Sequence, residues 1–168
     1  WTVFSCLDEE FCPSCLPAEK VLVLQATEVN GDDIYQGKLS CDHCGQDFPI
    51  QDGLADMDPG RCHRGQSGSK YETPNVLSSY LWSHFGDLLE DDMASDAYTR
   101  WAALIQPHSG WCLDIGAAVG RFSFEMAGKC DFVVGLDNSV VFIQTARELM
   151  QYRQKDMALA DEIGRAHV

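Results

Sequence analysis

Four cysteines in this chain have the spacing of metal ligands. Cys12 and Cys15 form one C-x-x-C pair, and Cys41 and Cys44 form a second pair after residues 16–40. Each pair places two thiolates on one tight turn, so the two turns together supply four sulfurs for a tetrahedral Zn²⁺. Four thiolates leave no open coordination position, and we therefore expect a structural site rather than a catalytic one. Two disulfides or two redox pairs are the alternative use of the same residues.

A small β-structure is predicted to hold these cysteines. Residues 21–24 and 34–35 are strand-like, and the turn sequence at 30–32, Asn-Gly-Asp, separates them as in a β-hairpin. Residues 1–58 are therefore predicted to form a zinc ribbon, in which the metal replaces a core that so short a module cannot build.

A second group of residues has the pattern of a nucleotide-cofactor half-site. An apolar strand at 112–115 leads into a turn containing Gly116 and Gly120, and a second apolar strand ends on Asp137. Glycine lets a ligand approach the backbone, and an acid after the second strand can accept hydrogen bonds from ribose hydroxyls. The dinucleotide pattern would need glycine at Ala118 and a small residue at Arg121, which argues against NAD or FAD. A βαβ packing unit without a cofactor is the alternative.

The motif Asp-x-Gly-x-x-x-Gly at 114–120, with residues 133–139, resembles motif I and the second strand of the class I S-adenosylmethionine methyltransferases. The resemblance implies that Gly116 and Gly120 face the methionine part of the cofactor and that Asp137 binds the ribose. Asp114 would fix the turn or the methionine amine, and Ala118 stands where the family most often has glycine. The implied cofactor-binding residues are Asp114, Gly116, Ala118, Gly120, Asp137 and Asn138.

Two further resemblances concern the substrate. The cysteine pairs and residues 48–54 resemble the small zinc-ribbon activator subunit of some tRNA and protein methyltransferases, and also the ribbon fused to some bacterial methyltransferases. Residues 80–86, 113–121, 124–127 and 142–143 together resemble the group that methylates 4-mercaptohistidine, which implies a small-molecule substrate. The ribbon is not part of that last pattern. An rRNA or tRNA methyltransferase with a fused ribbon is therefore an alternative.

Charge and hydropathy restrict the partners. The net charge of the 168 residues is −14, and residues 1–60 hold twelve Asp and Glu against two Lys, a net −10. Such a surface repels phosphate backbones, so we expect no nucleic-acid binding through the ribbon. No apolar run approaches the roughly 20 residues that span a bilayer, and no signal peptide is visible. We expect a cytoplasmic protein that does not bind membranes.

The region between the two motifs is predicted to be a linker followed by two covering helices. Residues 59–70 are rich in Gly, Ser and polar side chains, which is typical of a domain boundary. An amphipathic helix capped by Asn75 and a second helix at 94–105 then precede the first strand. Tyr71, Tyr80, Trp82 and His84 are candidate pocket residues. Core packing for Tyr80 and solvent exposure for His84 are the simpler predictions.

The predicted fold class is α/β: a truncated Rossmann-like domain at 71–168, preceded by the ribbon. A complete domain of this family has seven strands, and only the first two and their helices are recognised here, so we expect part of a longer enzyme whose catalytic base lies elsewhere. The alternative is a non-enzymatic ribbon that binds or activates a protein partner, attached to a degenerate nucleotide-binding scaffold. Residues 163–168 are expected to be a sequencing-adapter artefact, because 162–168 can be encoded by a widely used short-read adapter.

Overall fold

The structure is a computed structural model, and it describes residues 10–31, 33–60, 73–89 and 93–152. The chain divides into two compact units, Thr2–Ser67 and Gly68–Val168. The architecture is mixed α/β, with one antiparallel sheet and one small parallel sheet.

The first unit is a four-stranded antiparallel sheet in the order β1-β2-β3-β4. A 3-10 turn, Pro13–Cys15, precedes the sheet, whose strands are β1 (Val23–Asn30), β2 (Asp33–Ser40), β3 (Asp47–Gln51) and β4 (Leu54–Ala55). The predicted hairpin is present, and its strands are longer than the apolar runs that indicated them. A second tight turn joins β3 to β4 through Asp52 and Gly53, both at positive φ as a type I′ turn requires.

The core of this unit is small and contains two of the four cysteines. Cys12 and Cys41 are buried together with five apolar side chains. Those five are Leu22, Ile34, Leu39, Phe48 and Ile50. A core of this size supplies little hydrophobic stabilisation, so a cross-link between the two cysteine turns would contribute a large share of the unit's stability.

The second unit is built on two parallel strands. Its elements are α1 (Pro74–Phe85), a 3-10 turn (Gly86–Leu89), α2 (Ala97–Ala103), β5 (Trp111–Ile115), α3 (Arg121–Ala127), β6 (Phe132–Leu136) and α4 (Val140–Tyr152). β5 and β6 pair in parallel, with Ile115 opposite Leu136. This β5-α3-β6 unit ends both strands at the same edge, where the glycine turn and Asp137 follow them.

Helices cover one face of the parallel sheet. Val133 of β6 packs with Met126 of α3 and Ala102 of α2, and a second cluster joins α1 and α4 to the glycine turn through Leu81, Val119 and Phe142. On the other face Trp111, Leu113 and Ile115 are 54%, 57% and 77% exposed. Parallel sheets normally bury both faces, so this apolar face is incompletely covered by the described residues.

Two details of the covering helices differ from the sequence predictions. Thr73, not Asn75, caps α1: its Oγ1 accepts a hydrogen bond from the Val76 N–H at 3.4 Å, and Pro74 occupies the first helical position. α2 is shorter than the predicted 94–105, and its Trp101 is 55% exposed. The buried residue of α2 is Ala102, which packs against Met126 of α3 and Val133 of β6.

Candidate functional site

The four ribbon cysteines converge on one point. The sulfurs of Cys12 and Cys44 are 3.7 Å apart, those of Cys15 and Cys41 are 3.8 Å apart, and all four lie within 4.8 Å of one another. A tetrahedron with Zn–S bonds of about 2.3 Å has sulfurs about 3.8 Å apart along each edge. The four cysteines can therefore bind a metal such as zinc.

Local folding places these sulfurs. The Cys15 N–H donates to the Cys12 carbonyl at 3.1 Å, and the Gly45 N–H donates to the Cys41 carbonyl at 2.8 Å, so each pair sits on a tight turn. Gly45 adopts a φ of 74°, which closes the second turn at no steric cost. Cys12 and Cys41 are buried, whereas Cys44 is exposed.

The pKa values of the cluster show that its thiols differ in how readily they ionise. Burial and the neighbouring thiols raise the pKa of Cys15 to about 12, and burial also raises the pKa of Cys12. Backbone N–H groups at Cys44 and His43 stabilise the Cys41 thiolate and lower its pKa to about 7. Without a cation, each further thiolate repels the first, and a divalent metal removes that repulsion.

The described cysteines do not form disulfides. All six of them, including Cys112 and Cys130, are free thiols, and the ribbon sulfurs are far beyond the S–S bond length of about 2.05 Å. Tyr71, most of the predicted linker, and residues 163–168 lie outside the described residues.

The glycine turn after β5 has a left-handed backbone at three positions. Gly116, Ala118 and Gly120 have φ of 82°, 48° and 84°. The Gly116 and Ala117 N–H groups both donate to the Leu136 carbonyl, at 2.8 and 2.9 Å, which ties the turn to the end of β6. Around Gly116 the position of an added Cβ is open, whereas at Gly120 it would lie 2.9 Å from the Cβ of Ala146 on α4. Gly116 thus leaves room for a ligand, and Gly120 lets a helix pack closely.

Asp137 lies directly against this turn. Its Oδ2 accepts a hydrogen bond from the Ala118 N–H at 3.0 Å, and its Oδ1 accepts one from the Ser139 N–H at 2.8 Å. The carboxylate is half-buried, and Asn138 beside it is exposed. Each carboxylate oxygen can accept a second hydrogen bond, so Asp137 retains capacity for ligand hydroxyls.

Asp114, unlike Asp137, is hydrogen-bonded to a side chain of α3 and not to the backbone of the glycine turn. It lies near the end of β5, half-buried, and its Oδ2 accepts a hydrogen bond from the Ser123 hydroxyl at 2.7 Å. This bond joins the strand to α3 beneath the turn. Asp114 therefore contacts the helix that follows the glycine turn.

Arg121 ties three helical segments together, a role that the sequence analysis missed. Its side chain is 3% exposed, and both terminal nitrogens donate to Asp87, each at 2.9 Å. Its remaining donors reach Glu125 at 3.0 Å, Thr99 at 2.8 Å and the His84 carbonyl at 3.2 Å. Nothing local in the sequence indicates this network, because Asp87 precedes Arg121 by 34 positions.

His84 is buried, so the prediction of solvent exposure was wrong. Its Nε2 lies 2.8 Å from the Tyr98 hydroxyl, and its Nδ1 has no hydrogen-bond partner among the described residues. Burial, and then the charge of Arg121, lower the His84 pKa to about 4. Burial, and then the charge of Asp114, raise the pKa of Tyr98. Tyr80 is half-buried, with its ring 4.4 Å from that of Phe142, in keeping with core packing.

Comparisons with known proteins do not assign the chain to a family. No protein-family model matches the chain, and no curated protein matches it either. Among the described helices, none is both long enough and apolar enough to cross a membrane.

Proposed function

We propose that the second unit is part of an S-adenosylmethionine-dependent methyltransferase that acts on a small molecule. The observation that carries the proposal is the contact between the Asp137 carboxylate and the left-handed turn at 116–120. In this arrangement an acid that can bind ribose hydroxyls lies beside a backbone that a ligand can approach.

The surroundings of the turn support the same proposal. Gly116 is exposed, with open space where a side chain would be, and α1 packs over the other end of the turn through Leu81 and Val119. The uncovered apolar face of β5 and β6 is consistent with further helices that would cover this face in a complete domain. S-adenosylmethionine would supply a methyl group on a sulfonium, and the residues of the turn and Asp137 would orient it.

The test is a titration of the zinc-loaded chain with S-adenosylhomocysteine, followed by two-dimensional amide NMR, which detects weak binding. We expect shifts concentrated at residues 116–120 and 137–139. Asp137→Asn should weaken binding by about 1–3 kcal/mol, because it removes the charged acceptor of the ribose hydroxyls. Absence of shifts at these amides, or equal affinity of the variant and the wild type, would refute the proposal.

Asp131→Asn is the matched control. The Oδ2 of Asp131 accepts a hydrogen bond from the Gly110 N–H at 2.8 Å, at the opposite end of the same strand pair. The Asp131→Asn variant therefore alters a similar backbone contact without changing the proposed site. Its affinity for S-adenosylhomocysteine should equal that of the wild type.

A protein-binding role for the ribbon is the second candidate, and the edge strand β1 favours it. All eight of its residues are exposed, including Val23, Leu24 and Val29 at 44%, 39% and 56%. An exposed apolar edge strand can pair with another chain. Substitution of Val29 by Lys should abolish capture of such a partner and leave S-adenosylhomocysteine binding unchanged.

A further inference from the structure

The four ribbon cysteines differ in how far solvent reaches them. Cys12 and Cys41 are 0% and 2% exposed, Cys15 is half-buried, and Cys44 is exposed. Cys44 lies in the turn between β2 and β3, where residues 42–45 are all exposed. Among the described residues of the cluster, Cys44 is therefore the one that a small solute meets first.

Two pairs of sulfurs join one cysteine turn to the other. The Cys12 and Cys44 sulfurs are 3.7 Å apart, and those of Cys15 and Cys41 are 3.8 Å apart. A disulfide has an S–S length of about 2.05 Å, so each sulfur would need to move by less than about 1 Å to form one. The same four cysteines can therefore be linked as two disulfides while both turns keep their places.

Metal binding makes these four sulfurs reactive. A thiol that coordinates a divalent metal is deprotonated, and the thiolate is the form that attacks an oxidant. Exposure, and not acidity, then decides which of the four reacts first. Cys112 and Cys130 lie outside the cluster as free thiols and gain no such activation.

We propose that the four-cysteine site is an oxidant-sensitive switch, in which peroxide replaces the metal with two disulfides, Cys12 to Cys44 and Cys15 to Cys41. The proposal rests on metal binding by these four residues. It differs from simple metal loss because both disulfides join the first cysteine turn to the second. The small core of the ribbon therefore keeps a cross-link, and the ribbon stays folded after oxidation.

The chemistry proceeds in two equal rounds. The Cys44 thiolate attacks one oxygen of hydrogen peroxide, and the O–O bond breaks to leave a sulfenic acid and a hydroxide. The Cys12 thiolate attacks the sulfur of this sulfenic acid, and the S–O bond breaks to release a second hydroxide. A second peroxide oxidises Cys15 and Cys41 in the same way, so no thiolate remains to hold the metal. Four thiolates lose four electrons, and two peroxides become four hydroxides, which take up protons from solvent to give water.

The test treats the zinc-loaded chain with hydrogen peroxide, measures released zinc with a chromogenic chelator, alkylates the remaining thiols and maps tryptic peptides without reduction. Trypsin leaves Cys12 and Cys15 on residues 1–20, and Cys41 and Cys44 on residues 39–61. Cys6→Ser removes the third cysteine of the first peptide and serves as the background. We expect one zinc released for two peroxides consumed, with the two peptides joined.

Dithiothreitol should separate the joined peptides, and added zinc should then bind again. Retention of zinc under peroxide, or disulfides that form inside each peptide and leave the two unjoined, would overturn the proposal. A chain that takes up no zinc at the loading step would refute the metal site itself, and the switch with it. Zinc content before oxidation distinguishes these two failures.

Two further measurements test the order of attack and the outcome for the fold. Dimedone present during brief oxidation should label Cys44 first, and earlier labelling of Cys12 or Cys41 would contradict the proposal. The double variant Cys112→Ser/Cys130→Ser is the matched control, because it alters only thiols outside the cluster. It should release zinc at the wild-type rate, and a severalfold slower release would mean that these thiols receive the oxidant first. Oxidised chain should keep hydrogen-exchange protection in residues 10–60, and loss of that protection would refute the cross-linked product.

Discussion

At the scale of single residues, His84 makes stability depend on pH. Its folded-state pKa of about 4 lies below the ordinary value of 6.5. Between pH 6.5 and pH 4, His84 therefore binds a proton in the unfolded chain but stays neutral in the folded chain. Stability should therefore fall as the pH falls from 6.5 towards 4, and this contribution should not change further below 4.

The measurement is urea unfolding followed by tryptophan fluorescence, since Trp82, Trp101 and Trp111 all lie in the second unit. Carboxylates also titrate in this pH range, so the informative quantity is the difference in the free energy of unfolding between the wild type and His84→Gln. That difference should shrink as the pH falls, because the glutamine has no proton to gain. Parallel stability curves for the two proteins would contradict the prediction.

Ala118 allows a prediction about backbone strain. Its left-handed φ of 48° costs an alanine about 1–2 kcal/mol, but its buried methyl group contributes about 0.8 kcal/mol that glycine would lose. Ala118→Gly should therefore change the free energy of unfolding by less than about 1 kcal/mol. Ala118→Val should destabilise by about 2 kcal/mol or more, because a branched side chain fits neither the φ nor the space. Denaturant titrations of both variants test this, and equal stability of all three proteins would contradict it.

At the scale of elements, Arg121 connects α3 to α2 and to the 3-10 turn after α1. Arg121→Met should destabilise the second unit by about 3–5 kcal/mol, because it leaves Asp87 half-buried without its bidentate partner. The matched control is Arg100→Met, whose ion pair with Asp96 is 3.7 Å long and solvent-exposed. The Arg100→Met control should lower the free energy of unfolding by less than about 0.5 kcal/mol. Similar losses in both variants would mean that the buried network contributes little.

The same elements show what sequence patterns can and cannot predict. The two parallel strands, the turn between β5 and α3 and the cysteine cluster were predictable, because apolar runs, glycine spacing and C-x-x-C pairs are local signals. The pairing of Arg121 with Asp87 and the burial of His84 were not, because they depend on how α1 and α2 pack on α3. The burial of Ala102 on α2, with Trp101 left exposed, depends on the same packing.

At the scale of the whole molecule, the two units should respond differently to metal removal. Wild-type chain should contain one zinc, Cys41→Ser should lose it, and Cys130→Ser, which alters a thiol outside the cluster, should keep it. A strong chelator should abolish hydrogen-exchange protection in residues 10–60, because the ribbon core is too small to fold without a cross-link. Tryptophan fluorescence of the second unit should stay unchanged. Retention of ribbon protection after complete zinc removal would contradict this prediction.

The hydrogen bond from Ala118 to Asp137 has a consequence for the thermodynamics of recognition. Because the turn is already held in its left-handed form, a ligand arriving there has little chain entropy to remove. Association should accordingly proceed in a single kinetic phase, limited by encounter and not by closure of the turn. Its enthalpy should come mainly from new polar contacts, with only a small opposing entropy from ordering the backbone.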